Sequence, residues 1–143
     1  MVTSRIVATG AGIPSQVITN DDLAQIMDTS DEWIRQRTGI GERHISGGED
    51  LSYYTTKAAR QIIERAGIAP EDIDLIVVAT VTADYCTPSA ACMVQKEIGA
   101  VNAVAFDVTA ACSGFLYGVS VADKFIRCGV YKNALVIGGE ILS

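Results

Sequence analysis

The stretch "VTAACSGF", residues 108–115, lies between an apolar run typical of a buried strand and an apolar run typical of a helix. No charged residue occurs from Val108 to Ala122. The small residues around Cys112 let the main chain turn sharply and let a substrate come close, as in the strand-to-helix elbows of other α/β enzymes. The stretch therefore predicts a β-strand that leads directly into a helix, with a cysteine at the turn.

The same alternation continues on both sides of this junction. The apolar runs "IDLIVVATVT", "NAVAFDVTA" and "NALVIGG" predict three buried strands. Between them, "PSAACMVQKEIG" predicts a helix that begins at Pro88 and ends at Gly99, and "CSGFLYGVSVADKFIRCG" predicts another. Apolar strands separated by helices are typical of βαβ units. We expect an α/β fold, with a parallel-rich mixed sheet covered by helices on both faces.

Shorter elements are predicted nearer the N-terminus. "SRIVATGAGIP" alternates enough to predict a strand, and Asn20 is expected to cap a short helix in "TNDDLAQIM". "TSDEWIRQRTG" predicts a second helix, capped by Thr29 or Ser30 and closed by Gly39. "GGEDLSYYTTKAARQIIERAG" then predicts a long amphipathic helix that ends at Gly67.

Length and charge narrow the classes of protein. A chain of 143 residues is the size of one domain or part of one. The formal net charge of -6, without a basic stripe, argues against a nucleic-acid partner. The sequence has neither a signal-peptide pattern nor an apolar stretch of the roughly 20 residues that cross a membrane. These features predict a cytoplasmic protein without a membrane partner.

The spacing of cysteine, histidine and glycine argues against two common kinds of site. Cys86, Cys92, Cys112 and Cys128 form no CxxC pair, and the only histidine, His44, is distant from all four. We therefore expect no metal and no dithiol redox chemistry. The "GAG" at residues 10–12 lacks the third glycine of a dinucleotide-binding loop, so a turn is expected there.

Cys112 has two interpretations when the residues alone are considered. In the first turn of a helix, unpaired N–H groups and the positive end of the helix dipole stabilise a thiolate, which favours a nucleophile. Free cysteine is also among the most buried residue types, and a structural role is the commoner one. On these grounds both interpretations stay open.

Four segments resemble one family in its order and spacing: "TSDEWIRQRTGIGERHI", "IDLIVVATVTADYCTPSAAC", "AFDVTAACSGFLYGVSVAD" and "ALVIGG". The family is beta-ketoacyl-acyl-carrier-protein synthase III, which comprises condensing enzymes of the thiolase-like superfamily. The resemblance implies a thiolase-like fold, of which residues 1–143 are the N-terminal half-domain and the C-terminal half is absent. The chain ends at Ser143, just beyond a predicted strand, which we interpret as the mark of a truncated chain.

The resemblance also implies a reaction. Cys112 matches the nucleophile that takes an acyl group, acetyl or a longer or branched primer, from coenzyme A as a thioester. Condensation with malonyl-acyl-carrier protein then gives 3-oxoacyl-acyl-carrier protein, the first step of fatty acid biosynthesis. Acyl-coenzyme A is a substrate here, and no separate cofactor is expected. The family's histidine and asparagine lie in the second half of the polypeptide, so the isolated chain is expected to be inactive.

Four further residues are assigned to substrate binding by the resemblance. Trp33 is expected to stack on the adenine of coenzyme A, with Arg37 and Thr38 at the nucleotide end. Thr87 lies at the tip of a loop that, in the family's homodimer, reaches the neighbour's acyl pocket. Many relatives have phenylalanine there, so the smaller threonine predicts a deeper pocket. Without the resemblance, the residues would instead predict a helix in which Trp33 is half-buried and the arginines form a solvent-exposed face.

Two other functions remain as alternatives. One is a non-catalytic truncated or split subunit that pairs with another condensing-enzyme chain. The other is a cysteine hydrolase, which is disfavoured because the sequence offers no plausible base for Cys112. His44 lies in the wrong segment for that role and is expected to be a surface or loop residue.

Overall fold

The computed structural model describes residues 3–142. They form two compact units, one of residues Ile13–Glu49 and one of residues 3–12 together with Asp50–Leu142. The smaller unit is built around a buried polar side chain, and the larger one around a parallel sheet.

The smaller unit contains two short strands and two helices. In chain order they are β1 (Gln16–Thr19), α1 (Asn20–Ala24), α2 (Asp31–Thr38) and β2 (Glu42–Ile45). The strands pair antiparallel, with Gln16 opposite Ile45 and Thr19 opposite Glu42. This two-stranded sheet was not foreseen in the sequence, because four-residue strands leave little periodicity to detect.

The cap of α1 differs from the prediction. Asn20 is the first helical residue, and the preceding Thr19 is the cap. The Thr19 hydroxyl accepts a hydrogen bond from the Asp22 amide at 3.2 Å, and the Asp22 carboxylate accepts one from the Thr19 amide at 2.9 Å. Hydrogen bonds from the Thr19 hydroxyl and amide to this carboxylate lower the pKa of Asp22. The pair is a reciprocal capping box, and it leaves the Asn20 side chain available for tertiary contacts.

Asn20 is the buried polar centre of the smaller unit, with 1% of its surface exposed. Its amide donates to Asp31 Oδ1 and to the Ile40 carbonyl, both at 2.8 Å, and its carbonyl accepts from Arg43 at 3.0 Å. The hydrogen bond from Asn20, followed by that from Arg35, lowers the pKa of Asp31. A buried amide with its groups satisfied in this way fixes the relative positions of α1, α2 and β2.

The larger unit contains the predicted alternation of helices and strands. Its elements are α3 (Leu51–Ala66), β3 (Leu75–Ala79), α4 (Ala90–Ile98), β4 (Val104–Val108), α5 (Gly114–Arg127) and β5 (Ala134–Gly138). The strands form a parallel sheet in the order β4-β3-β5, with Leu75 of β3 beside Val104 and Ala134. The predicted α/β fold with a parallel sheet and helices is confirmed.

The side chains of the central strand alternate between two apolar clusters. Ile76 and Val78 join a large cluster with α3 and α4, which we call the closed face of the sheet. Leu75 and Val77 join a smaller cluster with α5, which we call the open face. Because strand side chains alternate between faces, five consecutive buried residues in β3 mean that helices cover both sides.

Most helix ends follow the predicted signals. Gly39, Gly67 and Gly99 close α2, α3 and α4 with φ angles of 74°, 63° and 77°, a conformation that glycine adopts at no steric cost. The start of α4 differs, since the helix follows its cap Ser89 and does not begin at Pro88.

The strand predicted in "SRIVATGAGIP" does not form among the described residues. This segment lies along α3, where the Ala11 amide donates to Gln61 Oε1 at 3.2 Å and the Thr9 carbonyl accepts from Arg65 at 2.5 Å. Two main-chain groups that a strand would pair with a neighbouring strand are here paired with side chains of a helix. An alternating sequence predicts extended backbone, but not the partner that a strand needs.

Candidate functional site

Cys112 lies at the turn between β4 and α5. It is the middle residue of a single 3-10 turn, Ala111–Ser113, and it is exposed. The Ser113 amide donates to the Ala110 carbonyl at 3.1 Å, which holds the turn closed. The structure thus has the predicted strand, turn and helix, and the thiol is accessible to a substrate.

The backbone just before Cys112 is strained. Ala111 has a φ of 44°, in the left-handed region that non-glycine residues rarely occupy. That conformation costs an L-residue about 1–2 kcal/mol. Strain of this kind persists where the surrounding structure fixes the chain, and it concentrates at functional sites. The turn therefore holds Cys112 in an orientation that a relaxed chain would not adopt.

Two glycines bring α5 close to the sheet. A Cβ atom at Gly114 would lie 3.1 Å from the Ala79 Cβ atom, and one at Gly118 would lie 3.0 Å from the Val136 Cγ1 atom. The N-terminus of α5 consequently lies against the carboxyl ends of the strands. In open α/β sheets, ligands bind at this end. Cys112 thus occupies the edge of the sheet where a site is expected.

Glu140 lies at the same edge, two residues after the end of β5, and sequence analysis missed it. Its carboxylate accepts hydrogen bonds from the Thr82 hydroxyl at 2.6 Å, the Val81 amide at 3.0 Å and the Thr80 hydroxyl at 3.1 Å. An acidic residue immediately after "GG" at a strand end was the available signal. The side chain ties the end of β5 to the start of the loop that comes after β3.

That loop carries Thr87, and its tip is exposed. The four residues Tyr85, Cys86, Thr87 and Pro88 are all exposed, whereas Ala90, the first residue of α4, is buried. Thr87 is therefore available to contact another molecule, as its predicted role requires. Its contact with an acyl chain stays a prediction.

Trp33 and Arg37 lie one turn apart on α2, which Ser30 caps as predicted by accepting the Trp33 amide at 3.1 Å. The Arg37 guanidinium lies 5.1 Å from the centroid of the indole ring, within cation–π range. The indole is 53% exposed. The structure thus brings these two predicted residues together and leaves the ring accessible.

Thr38 has a local structural contact. Its hydroxyl donates to the Ile34 carbonyl at 2.8 Å and accepts from the Ile40 amide at 3.1 Å, so it closes the last turn of α2. The predicted binding residues are divided between the units, with Trp33, Arg37 and Thr38 in the smaller one and Thr87 in the larger one with Cys112.

The smaller unit also has an open groove of about 480 Å³ that contains none of the predicted residues. Asp21, Asp31, Arg35 and Glu42 contribute its charged side chains. Arg35 Nε lies 2.8 Å from both carboxylate oxygens of Asp31, so these opposite charges neutralise each other. A shallow groove with an internal ion pair does not identify a ligand.

Within residues 3–142, no cluster of histidine, cysteine and acidic side chains could hold a metal ion. His44 is exposed on β2, as predicted, with its Nδ1 atom 2.7 Å from the Pro14 carbonyl oxygen. All four cysteines are unpaired thiols. Within the same described part of the chain, no helix is both long and apolar enough to span a bilayer.

Comparison with known sequences points to one family. The family model of 3-oxoacyl-(acyl-carrier-protein) synthase III matches residues 106–143, the part that contains the end of β4, the turn with Cys112, α5 and β5. The chain is 57% identical over 130 residues to beta-ketoacyl-acyl-carrier-protein synthase III of Streptococcus thermophilus, covering 91% of this chain and 41% of that protein. The Clostridium tetani protein of the same name is 55% identical over 139 residues, covering 97% and 42%.

Comparison with solved structures agrees. The crystal structure of 3-oxoacyl-(acyl-carrier-protein) synthase III from Aquifex aeolicus superposes with a TM-score of 0.94 at 49% identity. The match covers 96% of this chain and 45% of that one. The chain therefore spans somewhat less than half the length of the relatives that it matches.

Proposed function

Because this chain belongs to the beta-ketoacyl-acyl-carrier-protein synthase III family, we propose that it supplies the nucleophile Cys112 to an acyltransferase that starts fatty acid synthesis. The observation that carries the proposal is the exposed Cys112 thiol on a strained turn at the N-terminus of α5. The activity is that of the whole polypeptide, of which this chain is the part with the acyl-accepting residue.

The reaction has two stages. The Cys112 thiolate attacks the thioester carbonyl of acyl-coenzyme A, the bond to the coenzyme A sulfur breaks, and the acyl group becomes a cysteine thioester. Malonyl-acyl-carrier protein then loses carbon dioxide, and the resulting carbanion attacks that thioester carbonyl. The Cys112 thiolate leaves, and 3-oxoacyl-acyl-carrier protein is released. Stabilisation of the oxyanions by hydrogen-bond donors supplies much of the rate in chemistry of this kind.

The smaller unit is proposed to bind the nucleotide part of coenzyme A. Trp33 offers an exposed ring for adenine, and Arg37 beside it offers a positive charge to the phosphates, with Thr38 next to it at the end of α2. Trp33→Ala should weaken coenzyme A binding by about 1–3 kcal/mol, the range for base stacking on an aromatic side chain. Because Trp33 is the chain's only tryptophan, quenching of its fluorescence by coenzyme A reports the contact directly.

Thr87 is proposed to border the acyl chain of the substrate. Its small side chain leaves space that a phenylalanine would fill, which favours longer or branched primers over acetyl alone. The proposed setting is a homodimer in the cytoplasm, with malonyl-acyl-carrier protein as the second substrate and no cofactor besides the coenzyme A thioester.

The deciding experiment is acylation of Cys112 in the full polypeptide that contains this chain. Incubation with labelled acetyl-coenzyme A, followed by peptide mapping, should place the label on Cys112 and lose it in Cys112→Ala. Cys128→Ala is the matched control, because Cys128 is also exposed but lies at the far end of α5. A label on Cys86, Cys92 or Cys128, or no label on any thiol, would overturn the proposal.

A second candidate, a non-catalytic subunit that pairs with another condensing-enzyme chain, is favoured by one observation. The side of α5 that faces away from the sheet exposes large apolar residues, among them Leu116 at 65%. Exposed apolar patches of this kind mark interaction surfaces. The coding sequence beyond Ser143 separates the two candidates. A further segment with a histidine and an asparagine to act on malonyl thioester supports the enzyme, and its absence supports the subunit.

A further inference from the structure

Three carboxylates hold the loop of residues 80–89, which carries Thr87. The first is Glu140, which accepts from Thr80, Val81 and Thr82 where the loop begins. The Thr82 hydroxyl in turn accepts the Ile141 amide at 3.0 Å. Hydrogen bonds to ionised acceptors are stronger than neutral ones, so the start of the loop is fixed to the end of β5.

The second carboxylate, Asp84, lies within the loop and reaches the N-terminus of α3. It accepts from the Leu51 amide at 2.8 Å and from the Ser52 amide at 2.9 Å. Asp50, the residue at the cap position of α3, makes no side-chain cap hydrogen bond. Asp84, which lies 33 residues after Leu51 in the sequence, thus caps the N-terminus of α3. The same hydrogen bonds attach the middle of the loop to α3.

The third carboxylate, Asp107, comes from β4 and holds the end of the loop. It accepts from the amides of Ala90 and Ala91, both at 2.8 Å. The Ser89 hydroxyl accepts the next amide, that of Cys92, at 3.2 Å. Asp107 also lies on the strand that leads to Cys112. The end of the loop and the nucleophile are therefore fixed to the same strand.

We propose that Asp84 and Asp107 are positioning residues that set the acyl-chain preference through Thr87. The loop tip from Tyr85 to Pro88 is exposed, so its position depends on the anchors on either side of it. With the anchors in place, Thr87 is held in one position, from which it borders the neighbouring subunit's acyl pocket and excludes primers that do not fit. This inference rests on the proposed function, since it assumes that Thr87 borders the acyl chain.

Asp84→Asn and Asp107→Asn test the proposal in the full polypeptide. Each replaces one acceptor oxygen by an NH2 group without a change of volume, which places a donor against a backbone donor. The measurement is the ratio of kcat/KM for acetyl-coenzyme A to that for a longer acyl-coenzyme A, both for acylation of Cys112. Because both rates come from one sample, the ratio does not depend on how much of the protein is folded.

Asp74→Ala is the control. Asp74 accepts from the amides of Lys132 and Asn133 at 2.8 and 3.0 Å, both on its Oδ2 atom, at the opposite end of β3. We expect the ratio to move toward one by about tenfold in Asp84→Asn or Asp107→Asn, which is within the roughly hundredfold effect that misplacement by 1 Å can produce. Asp74→Ala removes both of these hydrogen bonds away from the loop and should keep the wild-type ratio.

The outcomes separate this inference from the proposed function. If the wild type forms no thioester on Cys112 with either substrate, both are overturned. If the wild type discriminates and the two loop variants keep its ratio, the positioning role alone is overturned. Should one aspartate variant fail to fold, the other carries the test by itself. Should both fail, Asp84→Glu and Asp107→Glu, which keep the carboxylate but lengthen the side chain, replace them, and an unchanged ratio there equally overturns the role.

Discussion

The two faces of the parallel sheet are buried to different extents, although helices cover both. On the closed face, α3 and α4 contribute several fully buried residues, so that Ile76 and Val94 have no exposed surface. On the open face, α5 contributes the buried Ala122 and two glycines in contact with the sheet. Two helices thus bury the closed face in a packed core, whereas a single helix covers the open face.

The outer side of α5 carries the consequence of this difference. Three large residues on it are at least 37% exposed: Leu116, Tyr117 and Val119. The same helix has the Cys112 turn at its N-terminus. On the closed face the apolar side chains of α3 and α4 are buried in the core. On the open face the outer side of α5 leaves apolar side chains exposed and available for contact.

The largest expected effect is from truncation of a side chain on the closed face. Ile76→Ala should lower the free energy of unfolding by about 2–5 kcal/mol, because it leaves a cavity in a packed cluster. Leu116→Ala on the outer side of α5 should change the same quantity by less than about 0.5 kcal/mol, as for surface substitutions generally. Urea unfolding monitored by circular dichroism measures both. Equal losses in the two variants would contradict the difference between the faces.

The next effect concerns association through the open face. Leu116→Lys combined with Val119→Lys places two charges on the exposed side of α5 and should weaken self-association of this chain by about tenfold or more, equivalent to about 1.4 kcal/mol. Sedimentation velocity over a range of concentrations gives the dissociation constant. Ile26→Lys, at a residue of the smaller unit that is 76% exposed, is the control and should leave association unchanged.

A smaller effect is expected at the turn that precedes α5. Ala111→Gly relieves a left-handed conformation worth about 1–2 kcal/mol but adds unfolded-state entropy worth about 0.5–1 kcal/mol, so the net gain in stability should be within about 1 kcal/mol. Alkylation of Cys112 should become slower, because the turn no longer holds the thiol in one orientation. Ala110→Gly, where φ is −148° and no such strain exists, should only destabilise. A destabilised Ala111→Gly would contradict the strain.

The smallest effect is a pH dependence at the C-terminal half of α5. The Ser4 hydroxyl donates a hydrogen bond to Asp123 at 2.6 Å. This hydrogen bond is the largest cause that lowers the pKa of Asp123 from its usual value of 3.8, and the positive charges of Arg127 and Lys124 lower it further. A lowered folded-state pKa stabilises the fold above about pH 3.8 and loses that contribution as the pH falls through the folded value. Ser4→Ala should therefore shift the urea midpoint slightly at pH 7 and less at pH 3. A shift that grows in acid would contradict the contact.

Much of the larger unit could be predicted from local pattern. The order of strands and helices, the glycines that end three helices, and Cys112 at the turn are all indicated by apolar runs and small residues close together in the sequence. The parallel sheet is indicated by the same alternation, because each crossover is long enough for a helix. The strand order around β3 has no such local signal.

The features that could not be predicted depend on partners far apart in the chain. The segment before Gly12 could form a strand only with another strand beside it, and it lies along α3 instead. Asn20 is buried because Asp31, Ile40 and Arg43, which are distant from it in sequence, form hydrogen bonds with its side chain. No periodicity shows which acid will reach which amide. The roles of Trp33, Arg37, Thr38 and Thr87 stay predictions from resemblance.

The cap of α3 also bears on the order in which the molecule folds. Leu51 and Ser52 at the start of the helix have no acceptor from Asp50, and Asp84 becomes available only after β3 has been laid down and the chain has turned beyond it. During synthesis the first turn of α3 is thus expected to fray until residue 84 has left the ribosome. Long-range contacts of this kind form late because the intervening loop must first be closed. Hydrogen exchange at the amides of Leu51 and Ser52 should therefore slow only when Asp84, in the loop after β3, reaches the N-terminus of α3. These two amides report when that contact forms during folding.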